Sequence, residues 1–270
     1  ILAVADGGNG TLATLETTVA VARRFGASVD VLHVSADIDT LVPVIGEGMS
    51  GAMVEQLMNA MTQSVAARAA RAREAYRKAC ASSDVPTVWR EVSGRETEIV
   101  AVAGRLTDVI VIGRPDGDGE TPLAATLDAA LFDTGRPVLV APNATPAAIG
   151  SHLVLAWNGT VQAARGVAAS MPFLQRAERV TVVTVGKAER DASAGDLLVY
   201  LGRHDVRATH ETVEPEHLSI GKTLLKHAGR LQADMLVMGA YGHSRLREMI
   251  LGGATRDVLA HATLPLLMAH

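Results

Sequence analysis

The sequence repeats itself, and this repeat limits the possible folds more than any other feature of the chain. LAVADG, which begins at Leu2, matches VLAWNG, which begins at Val154, and the apolar run ending at Val34 matches the run ending at Val185. The later segments TDVIVIG and RPVLVAP match ADMLVMG and LPLLMAH in the same order. Four short apolar runs therefore occur twice in 270 residues, a length that accommodates two units of about 130 residues each.

Each copy alternates short β-branched runs with longer Ala-rich stretches of helical period, which predicts βαβ units around a parallel sheet. The predicted helices of the first copy are 12–26, 50–81, 96–106 and 122–134, and the predicted strands of the second are 153–157, 180–185, 207–213, 235–238 and 265–269. The offset between the copies falls from 151 to 126 after the second strand, so the first copy carries an insertion of roughly 25 residues, from Pro43 to about Ala67. We predict one domain over residues 1–145 and another over 150–270, joined by the linker PNATPAAIG.

Composition excludes several classes of protein. Aromatic residues make up 3% of the chain, too few for the stacking platforms that bind single-stranded nucleic acid. Cys80 is the only cysteine, which excludes an internal disulfide and a zinc site built on paired cysteines. The apolar runs are of strand length, well short of the roughly 18 residues of a membrane span, so no membrane-spanning helix and no membrane partner are expected. The lone cysteine makes the reducing cytoplasm the expected location.

Charge is divided unequally between the copies. Residues 1–147 carry 12 Lys and Arg against 18 Asp and Glu, a net charge of −6, whereas residues 148–270 carry 13 against 11, a net charge of +2. The second copy is therefore the better candidate for binding an anion. A basic run in the first copy comprises Arg68, Arg71, Arg73, Arg77 and Lys78. We interpret it as the solvated face of a helix rather than a nucleic-acid patch, because clustered lysines are absent.

The loop after Met238 is the first candidate for a ligand site, because open parallel sheets bind ligands beyond the carboxyl ends of their strands. It reads GAYGHSRLREMILGGATRDVL, and its Gly252 and Gly253 directly precede a helical stretch. Free N–H groups in the first turn of that helix, together with the helix dipole, suit phosphate oxygens. His243, Arg245, Arg247 and Arg256 add positive or titratable charge, and Ser244 and Thr255 add hydroxyl groups. On spacing alone, these glycines could equally form ordinary turns.

The order of the elements, the pattern Gly-x2-Gly-x9-Gly and the closing strand LPLLMAH resemble the universal stress proteins, here in a tandem form that covers nearly the whole chain. The resemblance implies an α/β fold of two tandem domains, each a five-stranded parallel sheet of order 3-2-1-4-5 flanked by helices. It also implies that the second copy binds ATP, with or without Mg²⁺, or a related nucleotide. The phosphate-binding set would comprise Gly239, Gly242, His243, Arg245, Gly252, Gly253, Ala254 and Thr255. Gly253 departs from the family pattern, which usually has Ser or Thr here, and Thr255 would replace that hydroxyl only in part.

The resemblance also implies where the base and the ribose bind. Asn158 stands where the family usually has an Asp near the ribose. The backbone of Val185 would meet adenine, and Ala156 and Met238 would line the base. Trp157 follows the strand alternation away from Ala156, so we predict that it packs against a helix rather than stacking on the base.

The first copy lacks the phosphate motif. Ala124 and Ala125 stand where the second copy has its pair of glycines. The preceding loop reads RPDGDGE, and its Asp116, Asp118 and Glu120 would repel a triphosphate. We therefore predict one nucleotide site per chain, in the second copy, and interpret the acidic loop as solvated rather than as a calcium site.

Two further motifs are rejected as nucleotide sites. IGKTLL, residues 220–225, contains Gly-Lys-Thr, but a Walker-type loop needs a glycine where Glu216 stands, so we predict the interior of a helix. DGGNG, residues 6–10, resembles a loop of adenylating enzymes but lacks a Ser before its glycines. It is interpreted as a strand-to-helix turn in which Asp6 takes the position of Asn158.

Binding is favoured over catalysis, because Asp257 and Glu248 are the only carboxylates near the phosphate motif and no catalytic constellation is evident. The chain is therefore interpreted as an ATP-responsive regulator of a stress response. Three alternatives stay open: a nucleotide-free interaction scaffold of the same family, a slow ATP hydrolase, and a hydrolase or transferase with His243 as its base. The resemblance also implies dimerisation through the closing strands at 137–142 and 265–270, within one chain or between two.

Overall fold

The computed structural model describes residues 1–37, 50–81, 83–115, 121–186, 193–215, 217–240 and 253–270, which form an α/β fold. Its strands are β1 Leu2–Val4, β2 Val29–Ser35, β3 Thr87–Ser93, β4 Ile110–Gly113, β5 Val138–Ala141, β6 His152–Ala156, β7 Arg179–Val185, β8 Ala208–Val213, β9 Met235–Gly239 and β10 Leu266–Ala269. The α-helices within these ranges are α1 Thr11–Phe25, α2 Gly51–Tyr76, α3 Glu96–Gly104, α4 Pro122–Asp133, α5 Val161–Arg176, α6 Ala194–Gly202, α7 Ile220–Arg230 and α8 Ala254–His261. A π-helical turn, Arg77–Ala81, continues α2. The helices and strands predicted from periodicity are confirmed, with ends that differ by one or two residues.

All of these strands form one sheet of order β3-β2-β1-β4-β5-β10-β9-β6-β7-β8. The first half of the chain, from β1 to β5, has the order 3-2-1-4-5, and so does the second half, from β6 to β10. Every strand pair within a half is parallel. The predicted fold class is confirmed. In this order, β2 and β4 lie on opposite sides of β1, and β7 and β9 lie on opposite sides of β6, so the strand order reverses at β1 and at β6. A ligand crevice is therefore expected between β1 and β4 and between β6 and β9.

The central strands of the two halves correspond in register. Leu2 pairs with Ile110 in the first half, and Val154 pairs with Leu236 in the second, which reproduces the offsets of 152 and 126 found in the sequence. The halves differ most after their second strands, where α2 has 26 residues and α6 has 9. The inserted residues thus lengthen this helix, although 43–49 lie outside the described residues.

Helices cover both faces of the sheet. Helices α3, α4, α7 and α8 pack on one face, and α1, α2, α5 and α6 pack on the other. The core of the first face runs through both halves, since Val140 of β5 and Leu266 of β10 belong to it together. On the second face, Leu139 and Leu267 belong to a core that includes α5. Within the described ranges, no helix combines the length and the apolar character needed to cross a membrane.

The two halves are joined by β5 and β10, which pair antiparallel at the centre of the sheet. Leu267 pairs with Leu139, and Met268 pairs with Val138. Each of these strands also has a parallel neighbour on its other side, β4 or β9. The closing strands therefore meet within the chain. The other expected arrangement, in which closing strands pair between two chains, is not the one seen here, because both edges of β5 and of β10 are paired within the chain.

The basic run on α2 and the turn that continues it is largely exposed, but two of its members also bind the backbone of the first half. Arg68 and Arg71 donate from Nε to the backbone carbonyls of Asp6, at 3.0 Å, and Gly7, at 2.8 Å. The remaining members form exposed ion pairs: Arg73 with Glu91, and Arg77 and Lys78 with Glu74. Helix α2 therefore reaches the loop between β1 and α1, a contact across more than 60 residues of chain that periodicity cannot reveal.

Candidate functional site

The predicted base site lies at the carboxyl ends of β7, β6 and β9, which are adjacent in the sheet. Ala156, Val185 and Met238 lie at these ends and all pack on the same core layer. Met238 is buried, whereas Ala156 and Val185 are half-buried. Trp157 belongs to the opposite layer, where it is buried in a core that includes Val167 of α5. The prediction that Trp157 packs against a helix is confirmed.

Asn158, at the predicted ribose position, takes part in the local fold. Its Oδ1 accepts hydrogen bonds from the N–H of Thr160, at 3.2 Å, and from the Thr160 hydroxyl, at 2.8 Å. Thr160 in turn caps α5 by accepting the N–H of Ala163. Because Oδ1 is engaged, the amide NH₂ is the group of Asn158 that a ribose hydroxyl would meet.

Helix α8 begins beyond β9 with an N-cap residue that has no side chain. Gly253 has φ −66° and ψ 155°, and no side-chain hydrogen bond closes the first turn. The N–H of Asp257 donates to the carbonyl of Gly253, and the N–H groups of Ala254 and Arg256 come before this first intrahelical bond. Such groups have no acceptor within the helix and suit an anion. The Thr255 side chain is buried, with 3% exposed, which is unfavourable for its predicted hydroxyl contact with phosphate.

Gly239 has a structural task that sequence reasoning missed. A Cβ atom at this position would overlap the backbone of Gln162 and lie 2.7 Å from the nitrogen of Ala163. A Cβ on Gly166 would in turn lie 3.1 Å from the nitrogen of Gly239. The first glycine of the motif is therefore required where β9 passes under α5, whether or not a ligand binds.

The Gly-Lys-Thr segment lies in the first turn of α7 rather than in the predicted helix interior. Ser219 caps this helix and accepts the N–H of Lys222 at 3.3 Å. A Cβ on Gly221 would lie 2.6 Å from the carbonyl oxygen of Ala254. This glycine therefore allows α7 to touch the first turn of α8, which explains it without a phosphate.

Several predicted site residues cannot be placed. Gly242, His243, Arg245 and Gly252 lie outside the described residues, as do Glu248 and the acidic residues 116–120 of the first half. The structure thus brings the predicted base-lining residues together on one core layer, and it leaves the middle of the glycine motif undescribed.

At the equivalent place in the first half, the chain binds itself. The carboxylate of Asp6 accepts the hydroxyl of Thr11 at 2.7 Å and pairs with the guanidinium of Arg68 at 3.5 Å. Gly7 has φ +76°, and a Cβ there would overlap the backbone carbonyl of Arg68. DGGNG is thus a strand-to-helix turn, as predicted, with α2 lying directly on it.

A polar cluster lies next to this contact. The hydroxyl of Thr126 donates to Oε1 of Glu96 at 2.8 Å. His33 is buried, and its Nε2 has no hydrogen-bond partner within the described part of the chain. Burial raises the pKa of the Glu96 carboxyl, and the charge of Asp6 adds to this; the Thr126 hydrogen bond and the charges of Arg68 and His33 oppose it. Glu96 and Thr126 therefore bind each other in the first half, where the charges of Asp6 and Arg68 also act on Glu96.

Helix α4 of the first half begins earlier than α8. Its N-cap is Thr121, whose hydroxyl oxygen accepts the N–H of Ala124 at 3.1 Å. Ala125, the sequence equivalent of Gly253, therefore lies inside the helix rather than at its start. In the first half, the Thr121 side chain therefore caps the N-terminus of α4, whereas in the second half no side chain caps the N-terminus of α8.

Fold and crevices together define a class of protein: two doubly wound parallel α/β units joined at their last strands. The sequence model of the universal stress protein family matches residues 153–270. Universal stress protein Slr1230 of Synechocystis sp. is 26% identical over 175 residues, which are 59% of this chain and 57% of that protein. The alignment thus spans a little more than half the length of this curated relative.

Solved structures show the same likeness. A universal stress protein from Archaeoglobus fulgidus aligns over 99% of this chain and 95% of its own, with a TM-score of 0.67 and 14% identity. A universal stress protein in complex with cAMP aligns over 44% of this chain and 97% of its own, with a TM-score of 0.34 and 19% identity. The first of these likenesses shows the fold over both halves. The second half of the chain, residues 153–270, thus matches the universal stress protein family, as the resemblance found in the sequence predicted.

Proposed function

We propose that this protein binds one adenine nucleotide, ATP or a close relative, in the crevice of its second half, and that occupancy of this site regulates a stress response. The observation that carries the proposal is the start of α8. This helix begins at Gly253 with no side-chain cap, so the N–H groups of Ala254 and Arg256, which have no acceptor within the helix, suit phosphate oxygens. The match of residues 153–270 to the universal stress protein family supports a nucleotide as the source of that phosphate.

The other walls of the crevice suit a base held without aromatic stacking. Ala156, Val185 and Met238 offer aliphatic surface, and the backbone at the end of β7 offers hydrogen bonds to adenine. Since aliphatic packing replaces stacking and the usual hydroxyl is absent at Gly253, we expect modest affinity. Among the described residues, no group of three or more His, Cys, Asp or Glu could hold a metal ion, so Mg²⁺ would arrive with the phosphates.

The proposal includes one nucleotide per chain. In the first half, the Asp6 carboxylate pairs with Arg68, and Thr121 caps α4, so the groups that would meet ribose and phosphate already have partners. We propose little or no hydrolysis in the second half, because Asp257 is the carboxylate that the first turn of α8 supplies and the sequence shows no catalytic constellation around it.

The test is calorimetric titration of the full chain with ATP, alone and with Mg²⁺. We expect a stoichiometry of one. Gly253→Asp should lower ATP affinity about tenfold or more, because its carboxylate would cap α8 and repel the phosphates. Gly253→Ser restores the residue usual in the family and should keep or increase affinity. Ala125→Asp, an exposed position in the equivalent helix of the first half, is the matched control and should change nothing.

Two results would contradict the proposal: a stoichiometry of two, or undiminished ATP affinity in Gly253→Asp. The engaged Oδ1 of Asn158 and the buried Thr255 side chain favour one competing function, a scaffold that binds no nucleotide. Mass spectrometry of the denatured protein separates the two, since only the proposed function predicts release of an adenine nucleotide.

A further inference from the structure

Helix α8, on which the proposed nucleotide site depends, needs contacts with neighbouring elements to be stable and to stay in place. It has eight residues, and isolated helices of that length are marginal in water. Its N-terminus has no side-chain cap. Neighbours must therefore fix it: Val258 and Ala262 enter the core, and Gly221 of α7 contacts its first turn.

A residue of the first half holds the other end of α8. Nη1 of Arg114 donates hydrogen bonds to the carbonyl oxygens of Ala260, at 3.2 Å, and Ala262, at 2.8 Å. Carbonyls in the last turn of a helix have no N–H partner further along it, so these bonds satisfy orphaned acceptors. The guanidinium also lies at the negative end of the helix dipole, where a positive charge is favourable. Arg114 is half-buried, so water screens this interaction less than it would at the surface.

The topology explains how Arg114 reaches α8. Arg114 follows Gly113 at the carboxyl end of β4, and its equivalent in the second half is Ala240, which follows Gly239. The antiparallel β5–β10 pair places the carboxyl end of β4 near the start of β10, and hence near the turn after α8. Ala240 is the residue at which the glycine loop of the second half begins. At the equivalent position of the first half, the Arg114 side chain therefore crosses the β5–β10 junction and reaches α8.

We propose that Arg114 is a positioning residue for the nucleotide site of the second half. By holding the last turn of α8, it keeps the N–H groups of the first turn directed at the phosphates. The first half thereby contributes to a site whose ligand it does not contact. This inference rests on the proposed function. The base and ribose meet other elements, so adenosine binding should not depend on Arg114.

The experiment compares ATP and adenosine binding in the full chain and three variants. Arg114→Ala should weaken ATP binding about tenfold, within the usual range of coupling between sites, while adenosine affinity stays within about twofold. Arg114→Lys keeps a charge that reaches one carbonyl and should recover part of the loss. Arg136→Ala is the matched control, because Arg136 donates from Nε and Nη2 to the carbonyl of Arg105 within the first half. It should change neither affinity.

Hydrogen exchange of residues 254–262 in the ligand-free protein gives a second readout. Faster exchange in Arg114→Ala together with selective loss of ATP affinity would support the proposal. Unchanged ATP affinity would overturn it even if exchange is faster, because Arg114 would then stabilise the helix without positioning the site. Equal weakening of ATP and adenosine would overturn it too, as a general effect on the fold. A failure of the proposed function is distinct, since the unaltered chain would then bind no ATP.

Discussion

Gly239 leaves no room for a side chain, because β9 and α5 touch at this residue. Gly239→Ala should lower the free energy of unfolding by about 1–3 kcal/mol, the usual cost of overpacking. Gly229→Ala is the matched control: this glycine is helical and exposed, and a Cβ there meets nothing within 4 Å. It should stabilise the protein by about 0.5–1 kcal/mol. Urea unfolding of both variants checks the prediction, and equal effects would contradict it.

Glu96 makes stability depend on pH. Its pKa in the folded protein is raised, chiefly by burial, so the folded state holds more protons than the unfolded state above the ordinary Glu pKa of about 4.3. The stability of the wild type should therefore fall as pH rises from there through the raised pKa. Glu96→Gln keeps an acceptor for Thr126 and should be more stable than the wild type at pH 7, with a gain that shrinks toward pH 4. Unfolding at several pH values measures this, and a gain that grows on acidification would contradict it.

Single residues were predictable from the sequence only where one strand or one turn decides them. The burial of Trp157 follows from alternation along β6. The packing role of Gly239 does not, because it depends on Gln162 and Ala163 of α5, which lie more than 70 residues earlier in the chain. The acceptor role of Asn158 depends on a local hydrogen-bonded turn with Thr160, which the family resemblance does not describe.

Among the elements, α2 is the one most dependent on a few contacts. Of its 26 residues, Ala72 and Ala75 are buried, and Arg68 and Arg71 tie it to the β1–α1 loop. Replacing both arginines with Ala should lower the free energy of unfolding by about 2 kcal/mol or more, because charged donors to partly buried acceptors are lost. Arg77→Ala, which breaks an exposed ion pair on the same helix, should cost about 0.5 kcal/mol or less. Similar losses in both would contradict the assigned contact.

Periodicity predicted the elements well, because burial of one face imposes it on helices and strands alike. It did not predict which elements touch across the insertion. Nor did it predict that α4 begins before Ala125, since that start is set by the hydroxyl of Thr121 rather than by apolar spacing.

At the scale of the molecule, the cores of both faces cross the β5–β10 junction without interruption. Val140 and Leu266 share one core, and Leu139 and Leu267 share another. We therefore predict that the two halves unfold together in one cooperative transition. Differential scanning calorimetry should give equal calorimetric and van't Hoff enthalpies, and two separated transitions would contradict the prediction.

The partner of each closing strand was the part of the architecture that the sequence left undecided. An apolar strand specifies that its edge will be covered, not by what. In the structure, each closing strand is covered by the closing strand of the other half of the same chain, in a register that pairs Leu139 with Leu267.

Because the two halves that meet at this junction are parts of one chain, they can also differ in sequence. In an assembly of two identical chains, any substitution appears on both sides, so a change that removes one ligand loop removes the other. Here Arg114 and Ala240 occupy equivalent places after β4 and β9 and can differ, because each is encoded once. On the function and the role of Arg114 proposed above, one unit has no nucleotide site of its own and supports the site of the other, a difference that two identical chains cannot have.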